Sequence, residues 1–226
     1  MRKLFILALL ALALAPAAAR AQAPHEYAPI EEKTVNYKDW TYKRLNDGKE
    51  INLRTYAKGK KLVMVVYFAP WCGNWRNEMP VAAKLYDKYK DQGFDVIGIS
   101  EYGTLDEVKA CVGEKGAPYT VVTESEGREA RDKTTHYGYR QTTGDTRRWG
   151  SPWNIFLIPS KLTKSGDVLV EKTFVVNGEI VEADADKFIR EQLGLPAPPA
   201  TTVNAALNAS TPTPCEPLKA GDLKKP

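Results

Sequence analysis

The sequence predicts an α/β protein in which buried strands alternate with amphipathic helices. Residues 62–68 form a run of β-branched and apolar residues that is typical of a strand buried on both faces, and residues 94–100 are predicted to be a second buried strand. Between them, residues 74–90 carry apolar side chains at helical spacing, and Pro80 is expected to kink this helix. Alternation of strands and helices indicates a layered α/β sandwich around one central sheet.

The remaining elements place one domain at residues 39–194. A hairpin is predicted at 40–53, where Asn46-Asp47-Gly48 supplies a strong turn signal. Thr104 and Glu107 have the spacing of a capping box for a helix that ends near residue 114. The other predicted elements are a basic loop at 56–61, a strand at 119–123, a polar helix at 126–137, a strand at 154–159 paired with 168–174, a short hairpin at 175–181 and a helix at 184–193 capped by Gly194.

The two ends of the chain differ from this domain in composition. Residues 1–21 have the pattern of a cleavable signal peptide, with two basic residues, an apolar run and a small-residue cleavage site. Residues 22–38 form a polar lead-in that is either mobile or strand-like, and the proline-rich residues 195–226 are predicted to be disordered. We therefore expect a periplasmic or secreted protein with no transmembrane span in the mature chain.

Charge and composition exclude several classes of function. The formal net charge is +4, and removal of Arg2, Lys3 and Arg20 with the signal peptide leaves +1, which gives no argument for nucleic-acid binding. The two histidines are too few and too scattered for a metal site. No phosphate loop, hydrolase triad or cofactor fingerprint is present, so neither a metal nor a cofactor is expected.

The three cysteines are the chemically informative residues. Cys72 follows a predicted strand and precedes a predicted helix, where partial positive charge favours the reactive thiolate. The alternative is an inert cysteine in a degenerate fold. Because the number of cysteines is odd, at least one of Cys72, Cys111 and Cys215 is either free or paired with another molecule.

The segment Trp71-Cys72-Gly73-Asn74-Trp75 resembles the active-site segment of thioredoxin-fold proteins, in particular the secreted TlpA/ResA-like thiol-disulfide oxidoreductases, which are related to AhpC/TSA. The motif of that family is Trp-Cys-x-x-Cys, and here Trp75 stands in place of the second cysteine. The resemblance covers about residues 39–193. It implies a thioredoxin fold with a central mixed β-sheet flanked by helices, an N-terminal β-hairpin and a TlpA-like helix-strand insertion.

The same resemblance assigns further site residues. Glu78 matches a glutamate implicated near the active cysteines of the family, where it is a candidate proton shuttle; the alternative is an exposed helix carboxylate. Gly150-Ser151-Pro152 resembles the cis-proline loop, so we expect Pro152 to be cis and Ser151 to face Cys72 and bind substrate. The alternative is an ordinary trans proline at a strand entry.

Attack by Cys72 on a substrate disulfide would form a mixed disulfide, and two residues, Trp75 and Cys111, bear on how it is released. Trp75 cannot attack a disulfide; like Trp71 it is a candidate substrate contact, although its helical phase favours packing. Cys111 is a candidate resolving thiol, but it lies seven residues past Thr104, or roughly 10 Å along the helix. Pairing with Cys72 would need partial unwinding, so half-buried packing is the favoured interpretation of Cys111.

The segment 137–149 is longer than the family pattern and is predicted to lie beside Pro152, near Cys72 and Arg76. We interpret it either as a basic and aromatic rim that stabilises a thiolate or grips an anionic segment, or as a solvated loop. The residues that would form the rim are Tyr139, Arg140, Arg147, Arg148 and Trp149.

The leading hypothesis is an enzyme that exchanges thiols and disulfides of exported client proteins through Cys72 alone, with an external thiol as a candidate reductant. One alternative is a non-catalytic module that holds clients at the groove around Pro152. A weaker alternative is a one-cysteine peroxide reductase, which is ranked last because Phe68-Ala69 occupies the place where that chemistry needs a threonine. The identity of the client and the direction of electron flow stay open.

Overall fold

A computed structural model describes residues 25–113 and 117–196 of the chain. The predicted signal peptide, residue 215 and nearly all of the predicted disordered tail lie outside these residues. The helices and strands, in chain order, are β1 (Glu31–Thr34), β2 (Thr41–Arg44), β3 (Glu50–Asn52), α1 (Leu53–Ala57), β4 (Leu62–Phe68), α2 (Gly73–Tyr89), β5 (Phe94–Ser100), α3 (Leu105–Val112), β6 (Thr120–Thr123), α4 (Thr135–Thr143), β7 (Trp153–Leu157), β8 (Lys172–Val176) and α5 (Glu182–Leu193).

The strands form one mixed sheet in the order β1-β8-β7-β4-β5-β6-β2-β3. β4 pairs in parallel with β5 and antiparallel with β7, so the strand that leads to Cys72 lies near the middle of the sheet. The predicted N-terminal hairpin is present as β2 and β3, and it joins the sheet through β6. The thioredoxin-like α/β fold predicted from the sequence is thereby confirmed.

Both faces of β4 are buried, and alternate side chains enter two separate cores. The first core contains Leu62, Met64, Val66 and Phe68 of β4 together with apolar residues of α2 and α5. The second core contains the intervening residues of β4, Val63, Val65 and Tyr67, packed with residues of β7 and of the N-terminal segment. Burial on both faces is the reason why this strand reads as an unbroken apolar run.

The helix predictions from capping signals are confirmed. Thr104 and Glu107 make the reciprocal hydrogen bonds of a capping box at the start of α3. Helix α5 ends at Gly194, whose φ of 68° suits the left-handed cap that glycine provides. Pro80 lies inside α2, as expected.

Hydrogen bonds and strand pairing test two predictions for the N-terminal region, the loop at 56–61 and the lead-in at 22–38. The predicted loop at 56–61 was wrong in its first residues, which belong to helix α1. The Asn52 side chain caps this helix by accepting a hydrogen bond from the Thr55 amide at 3.0 Å. The lead-in is strand-like in part, because β1 pairs antiparallel with β8.

The region between β6 and α5 departs most from the sequence prediction. The polar helix predicted at 126–137 is a 3-10 turn over Arg128–Lys133, followed by α4, which Thr134 caps through the Tyr137 amide. The hairpin predicted at 175–181 was wrong, because its first residues belong to β8 and the Asn177 side chain binds the end of α4 through the Thr143 carbonyl at 3.0 Å. The local sequence Asn177-Gly178 indicates a hairpin turn, but the Asn177 side chain makes a tertiary hydrogen bond and no hairpin forms there.

Candidate active site

Cys72 is the N-cap residue of α2 and is a half-buried free cysteine. Its Sγ lies 3.1 Å from the carbonyl oxygen of Ser151, toward which the thiol donates a hydrogen bond. The Cys72 amide in turn donates to the Ala69 carbonyl at 3.0 Å, which closes the turn between β4 and α2. The sulfur therefore lies at the positive end of a helix dipole and against the loop that precedes β7.

The Ser151-Pro152 peptide bond is cis, as the resemblance implied, and Ser151 faces Cys72. The Ser151 hydroxyl accepts a hydrogen bond from the Ala69 amide at 2.9 Å, which ties the loop to the end of β4. On the other side, Arg147 Nη2 donates to the carbonyl oxygen of Pro152 at 2.7 Å. The loop that meets the sulfur is thus held from two directions.

A buried charge cluster shapes the chain just before this loop. Asp145 accepts hydrogen bonds from Arg147 at 2.8 and 2.9 Å and from Arg140 at 3.2 Å. Burial by itself would raise the pKa of Asp145, but the hydrogen bonds and charge of Arg147 bring it below its usual range. Gly150 has a φ of +56°, and a Cβ there would overlap the Arg140 guanidinium. Asp145 was not predicted to be a site residue, and its position two residues before Arg147 is the signal in the sequence that could have indicated it.

Glu78 is 1% exposed, so the alternative of an exposed helix carboxylate is wrong. Its Oε2 accepts hydrogen bonds from Asn154 Nδ2 at 3.0 Å and from the Ile180 amide at 2.8 Å. Its Oε1 has no hydrogen-bond partner among the described residues. Burial, only partly offset by these hydrogen bonds, raises the pKa of Glu78 to about 8. The group consequently holds a proton at neutral pH, while its proton-shuttle role stays a prediction.

Trp75 lies inside the first core and is 1% exposed. Its ring stacks on Phe68 with a centroid separation of 4.0 Å and an interplanar angle of 9°. This placement agrees with the packing interpretation of Trp75. A substrate contact for this residue finds no support, because its ring does not lie at the surface. The residue in the second-cysteine position therefore serves the fold.

Cys111 is 4% exposed and lies in the same core, deeper than the half-buried packing that was predicted. Its Sγ is 3.3 Å from the carbonyl oxygen of Pro70, two residues before Cys72. Cys111 is disulfide-bonded, so in this state it carries no thiol. Its role as a resolving thiol stays a prediction.

Tyr102 is a site residue that sequence reasoning missed. It is 1% exposed and has a φ of 60°, a backbone conformation that non-glycine residues rarely adopt. Its carbonyl accepts a hydrogen bond from Trp71 Nε1 at 3.0 Å, and its hydroxyl lies 2.9 Å from His136 Nδ1. Tyr102 therefore fixes the tryptophan that precedes Cys72. No local sequence pattern indicates this conformation.

The residues that were predicted to form one basic and aromatic rim lie partly in the interior and partly at the surface. Tyr139 and Arg140 are buried in helix α4, so they do not belong to a rim. Arg148 is exposed and Trp149 is half-buried, and its ring meets Trp71 edge-on at 5.1 Å. The alternative, a solvated loop, does not hold for the first part of the segment, because residues 137–143 belong to helix α4. Only its last two residues reach the surface beside Trp71.

The buried histidine of α4 does not act as a charged group at neutral pH. Burial, followed by the charges of Arg140 and Arg147, lowers the pKa of His136 well below its usual range.

Within residues 25–113 and 117–196, no three His, Cys, Asp or Glu side chains are grouped so that they could hold a metal ion. No helix in that part of the chain is long and apolar enough to cross a membrane.

A thioredoxin-like sheet, a free cysteine at a helix N-terminus and a facing cis-proline loop together define a protein of the thioredoxin-like fold class. The family model described as AhpC/TSA matches residues 34–177. The chain therefore belongs to the AhpC/TSA family.

Two characterised proteins that resemble this chain match it over part of their length. The thiol-disulfide oxidoreductase ResA of Bacillus thuringiensis is 35% identical over 75 residues, which are 33% of this chain and 42% of ResA. The chloroplastic phospholipid hydroperoxide glutathione peroxidase 1 of Arabidopsis thaliana is 37% identical over 89 residues, covering 35% of this chain and 36% of that protein. The matched segments span less than half the length of these relatives.

Solved structures of similar proteins include the thioredoxin domain of a thiol-disulfide oxidoreductase from Bacteroides vulgatus. It is 19% identical, with a TM-score of 0.49 and coverage of 71% of this chain and 97% of that domain. A thiol:disulfide interchange protein of the thioredoxin family from Chlorobium tepidum is 24% identical, with a TM-score of 0.48 and coverage of 77% of this chain and 100% of that one.

Proposed function

We propose that this protein exchanges thiols and disulfides of polypeptide substrates through Cys72 as its single active-site thiol. The observation that carries the proposal is the position of the Cys72 sulfur, at the N-terminus of α2 and 3.1 Å from the Ser151 carbonyl. A helix N-terminus favours the thiolate, which is the attacking species. Trp75 lies in the core and has no sulfur, so the mixed disulfide persists until an external thiol arrives.

The proposed cycle needs no net oxidant or reductant. The Cys72 thiolate attacks one sulfur of a substrate disulfide, the sulfur–sulfur bond of the substrate breaks, and its other sulfur leaves as a thiolate that takes up a proton. A second substrate thiolate then attacks the mixed disulfide, forms a new substrate disulfide and releases Cys72 as a thiolate. One disulfide and one thiol are consumed and one of each is formed, so electrons balance.

Glu78 enters the proposal as a positioning residue. Its carboxyl joins α2 to Asn154 of β7 and to the Ile180 amide before α5. These contacts fix the helix that carries Cys72 against the strand that follows the cis-proline loop. A role as proton shuttle would also use the proton that Glu78 holds at neutral pH, and the pH dependence of exchange by a Glu78→Gln variant tests that role.

The proposed setting is the periplasm or the medium, with protein thiols of exported clients as partners. The support is the signal-peptide pattern at residues 1–21, together with the persistence of disulfides in such compartments. Expression of the full-length chain in a bacterium, followed by fractionation and N-terminal sequencing, tests this. A mature chain that begins near residue 22 in the exported fraction supports the proposal, and an uncleaved cytosolic chain refutes it.

The decisive test follows exchange between a peptide disulfide and a peptide thiol by mass spectrometry. We expect wild-type protein to accelerate exchange at least roughly tenfold over the uncatalysed rate and Cys72→Ser to give only the uncatalysed rate. Quenching with acid should trap a mixed disulfide on Cys72. A bond between Cys72 and Cys111 in the quenched sample would refute the single-thiol mechanism.

The same assay separates the proposal from a binding module and from a peroxide reductase. A binding module would give no acceleration, while Cys72→Ser would bind the peptide as well as wild type does. The similarity to the Arabidopsis peroxidase is the observation that favours peroxide reduction. In that reaction the thiolate attacks one peroxide oxygen and becomes a sulfenic acid, while the oxygen–oxygen bond breaks and the other oxygen leaves as an alcohol or water after taking up a proton. Trapping of this acid at a rate well above that of a free cysteine would establish it.

A further inference from the structure

A cleft of about 550 Å³ opens at the surface beside Trp71, the residue that precedes Cys72. We call it the Trp71–Trp149 cleft, and its lining residues are Trp71, Arg128, Glu129, Arg148 and Trp149. Trp71 immediately precedes Cys72 in the chain, and Trp149 stands two residues before Ser151. The cleft therefore adjoins both segments that meet at the candidate active site.

The walls of the cleft are two tryptophans with arginines placed over their rings. Trp71 and Trp149 meet edge-on at 5.1 Å, and the hydrogen bond from Trp71 Nε1 to the Tyr102 carbonyl fixes the first ring. The Arg128 guanidinium lies 4.6 Å from the Trp71 ring centroid, and the Arg148 guanidinium lies 5.5 Å from that of Trp149. Cation–π attraction of this kind orients a guanidinium without using its N–H donors.

The donors of these two arginines are not used by the described part of the chain. The side chains of Arg128 and Arg148 neither donate a hydrogen bond nor form an ion pair within residues 25–113 and 117–196, whereas the side chain of every other arginine there donates at least one hydrogen bond. Arg131 also lies over Trp149, but its guanidinium is paired with Asp132 at 2.6 Å. Two oriented guanidiniums are thus available to a ligand.

The net charge of the cleft lining indicates which chemical groups a ligand would carry. Glu129 is the one acidic residue in the lining and opposes the two arginines, so the lining keeps an excess of positive charge. A guanidinium presents parallel N–H donors that match the two oxygens of a carboxylate. Aspartate and glutamate side chains are therefore the complementary groups in a polypeptide.

We propose that the Trp71–Trp149 cleft binds carboxylate side chains that flank the reacting cysteine of a polypeptide client. The inference rests on the proposed exchange at Cys72 and names its substrate class. An extended chain advances about 3.3 Å per residue, so the Cα of an acidic residue two or three positions from the client cysteine lies roughly 7–10 Å from the Cα of that cysteine. A cleft that begins at the residue next to Cys72 is within that reach.

The test compares three disulfide peptides of equal length in which glutamate, glutamine or lysine flanks the cysteine. The second-order rate constant for reaction with Cys72 is measured for the full-length protein at low salt. We expect a glutamate-to-glutamine rate ratio of roughly ten for wild type. Arg128→Gln/Arg148→Gln should lower this ratio to below about two, and added salt should lower the wild-type ratio as well.

The matched control is Lys43→Gln/Lys172→Gln, which removes the same amount of positive charge from two exposed strand residues. This variant should keep the wild-type rate ratio. A ratio that is the same in wild type and in the double arginine variant would overturn the proposal. So would an equal fall in the lysine control, because the preference would then come from overall charge. An arginine-dependent preference for a small dicarboxylate disulfide, without one among the peptides, would also overturn it.

A binding measurement separates this proposal from the proposed exchange function. The Cys72→Ser protein is titrated with peptides whose cysteine is replaced by serine, so that no exchange takes place. One outcome is a preference for the acidic peptide that depends on Arg128 and Arg148, although wild type does not accelerate exchange. That combination would support the cleft proposal and refute the exchange function. Exchange without any such preference would refute the cleft alone.

Discussion

Replacement of Glu78 by glutamine should change how the stability of the protein depends on pH. The carboxyl is 1% exposed, and burial raises its pKa from the ordinary 4.5 to about 8. Between these two values the folded chain holds a proton that the unfolded chain releases. The free energy of unfolding therefore falls as pH rises through this window, and the loss is complete above the folded pKa. Glutamine has the shape of the protonated acid and does not titrate.

The size of the effect follows from the two pKa values. One pKa unit corresponds to about 1.36 kcal/mol, and integration between pH 5 and pH 8 gives a loss of about 3–4 kcal/mol from this one group. The Glu78→Gln variant has its own cost, because its amide nitrogen replaces an oxygen that has no partner among the described residues. That cost does not vary with pH, so it cancels when two pH values are compared.

The assay is urea unfolding of wild type and Glu78→Gln at pH 5, 6, 7 and 8, followed by circular dichroism. We expect the stability of the variant relative to wild type to increase by about 3–4 kcal/mol from pH 5 to pH 8. At an m-value of about 2 kcal/mol/M this is a relative shift of the midpoint of about 1.5–2 M urea. Other buried titrating groups, including Glu101 and His136, are present in both proteins, so their contributions cancel.

The control variant is Glu126→Gln, which makes the same chemical change at an exposed carboxyl. Its stability curve should run parallel to that of wild type at every pH. Parallel curves for Glu78→Gln as well would show that Glu78 is ionised in the folded protein. That result would refute the argument that burial holds the proton, and with it the basis for a proton-shuttle role.

Three further substitutions test the packing around the site. Gly150→Ala should lower stability by about 2 kcal/mol or more and slow exchange, because the residue has positive φ and its Cβ would overlap Arg140; thermal unfolding and the peptide assay measure this. Trp75→Ala should cost about 3–5 kcal/mol in urea unfolding, because it empties the stack on Phe68. Tyr102→Phe should cost about 1–3 kcal/mol, because it leaves the facing histidine nitrogen without its partner.

Several elements were predictable because their signals are local or because both faces are buried. The bounds of β4 and β5 agree with the apolar runs at 62–68 and 94–100. Both strands are central in the sheet, so all their residues except Asp95 of β5 are buried, and the apolar pattern is nearly continuous. The capping box of α3 was equally readable, since its two partners are three residues apart.

The state of Glu78 was not readable from the sequence. Its helical position is compatible with either a buried or an exposed side chain. The residues that bind it, Asn154 and Ile180, are 76 and 102 positions away along the chain. Burial at such a position is decided by which distant segments pack over the helix, and a pattern of neighbouring residues carries no information on that.

The sequence alone determined the fold, the place of Cys72 between a buried strand and a helix, and the absence of a second cysteine in the motif. These properties depend on hydrophobic periodicity and on residues that are close in the chain. The tertiary structure decided which arginines and tryptophans reach the surface. Arg140 is buried against Asp145, whereas Arg148 lies exposed over Trp149. Residues of one type within a short segment acquire different roles because long-range packing, and not composition, sets their burial and their partners.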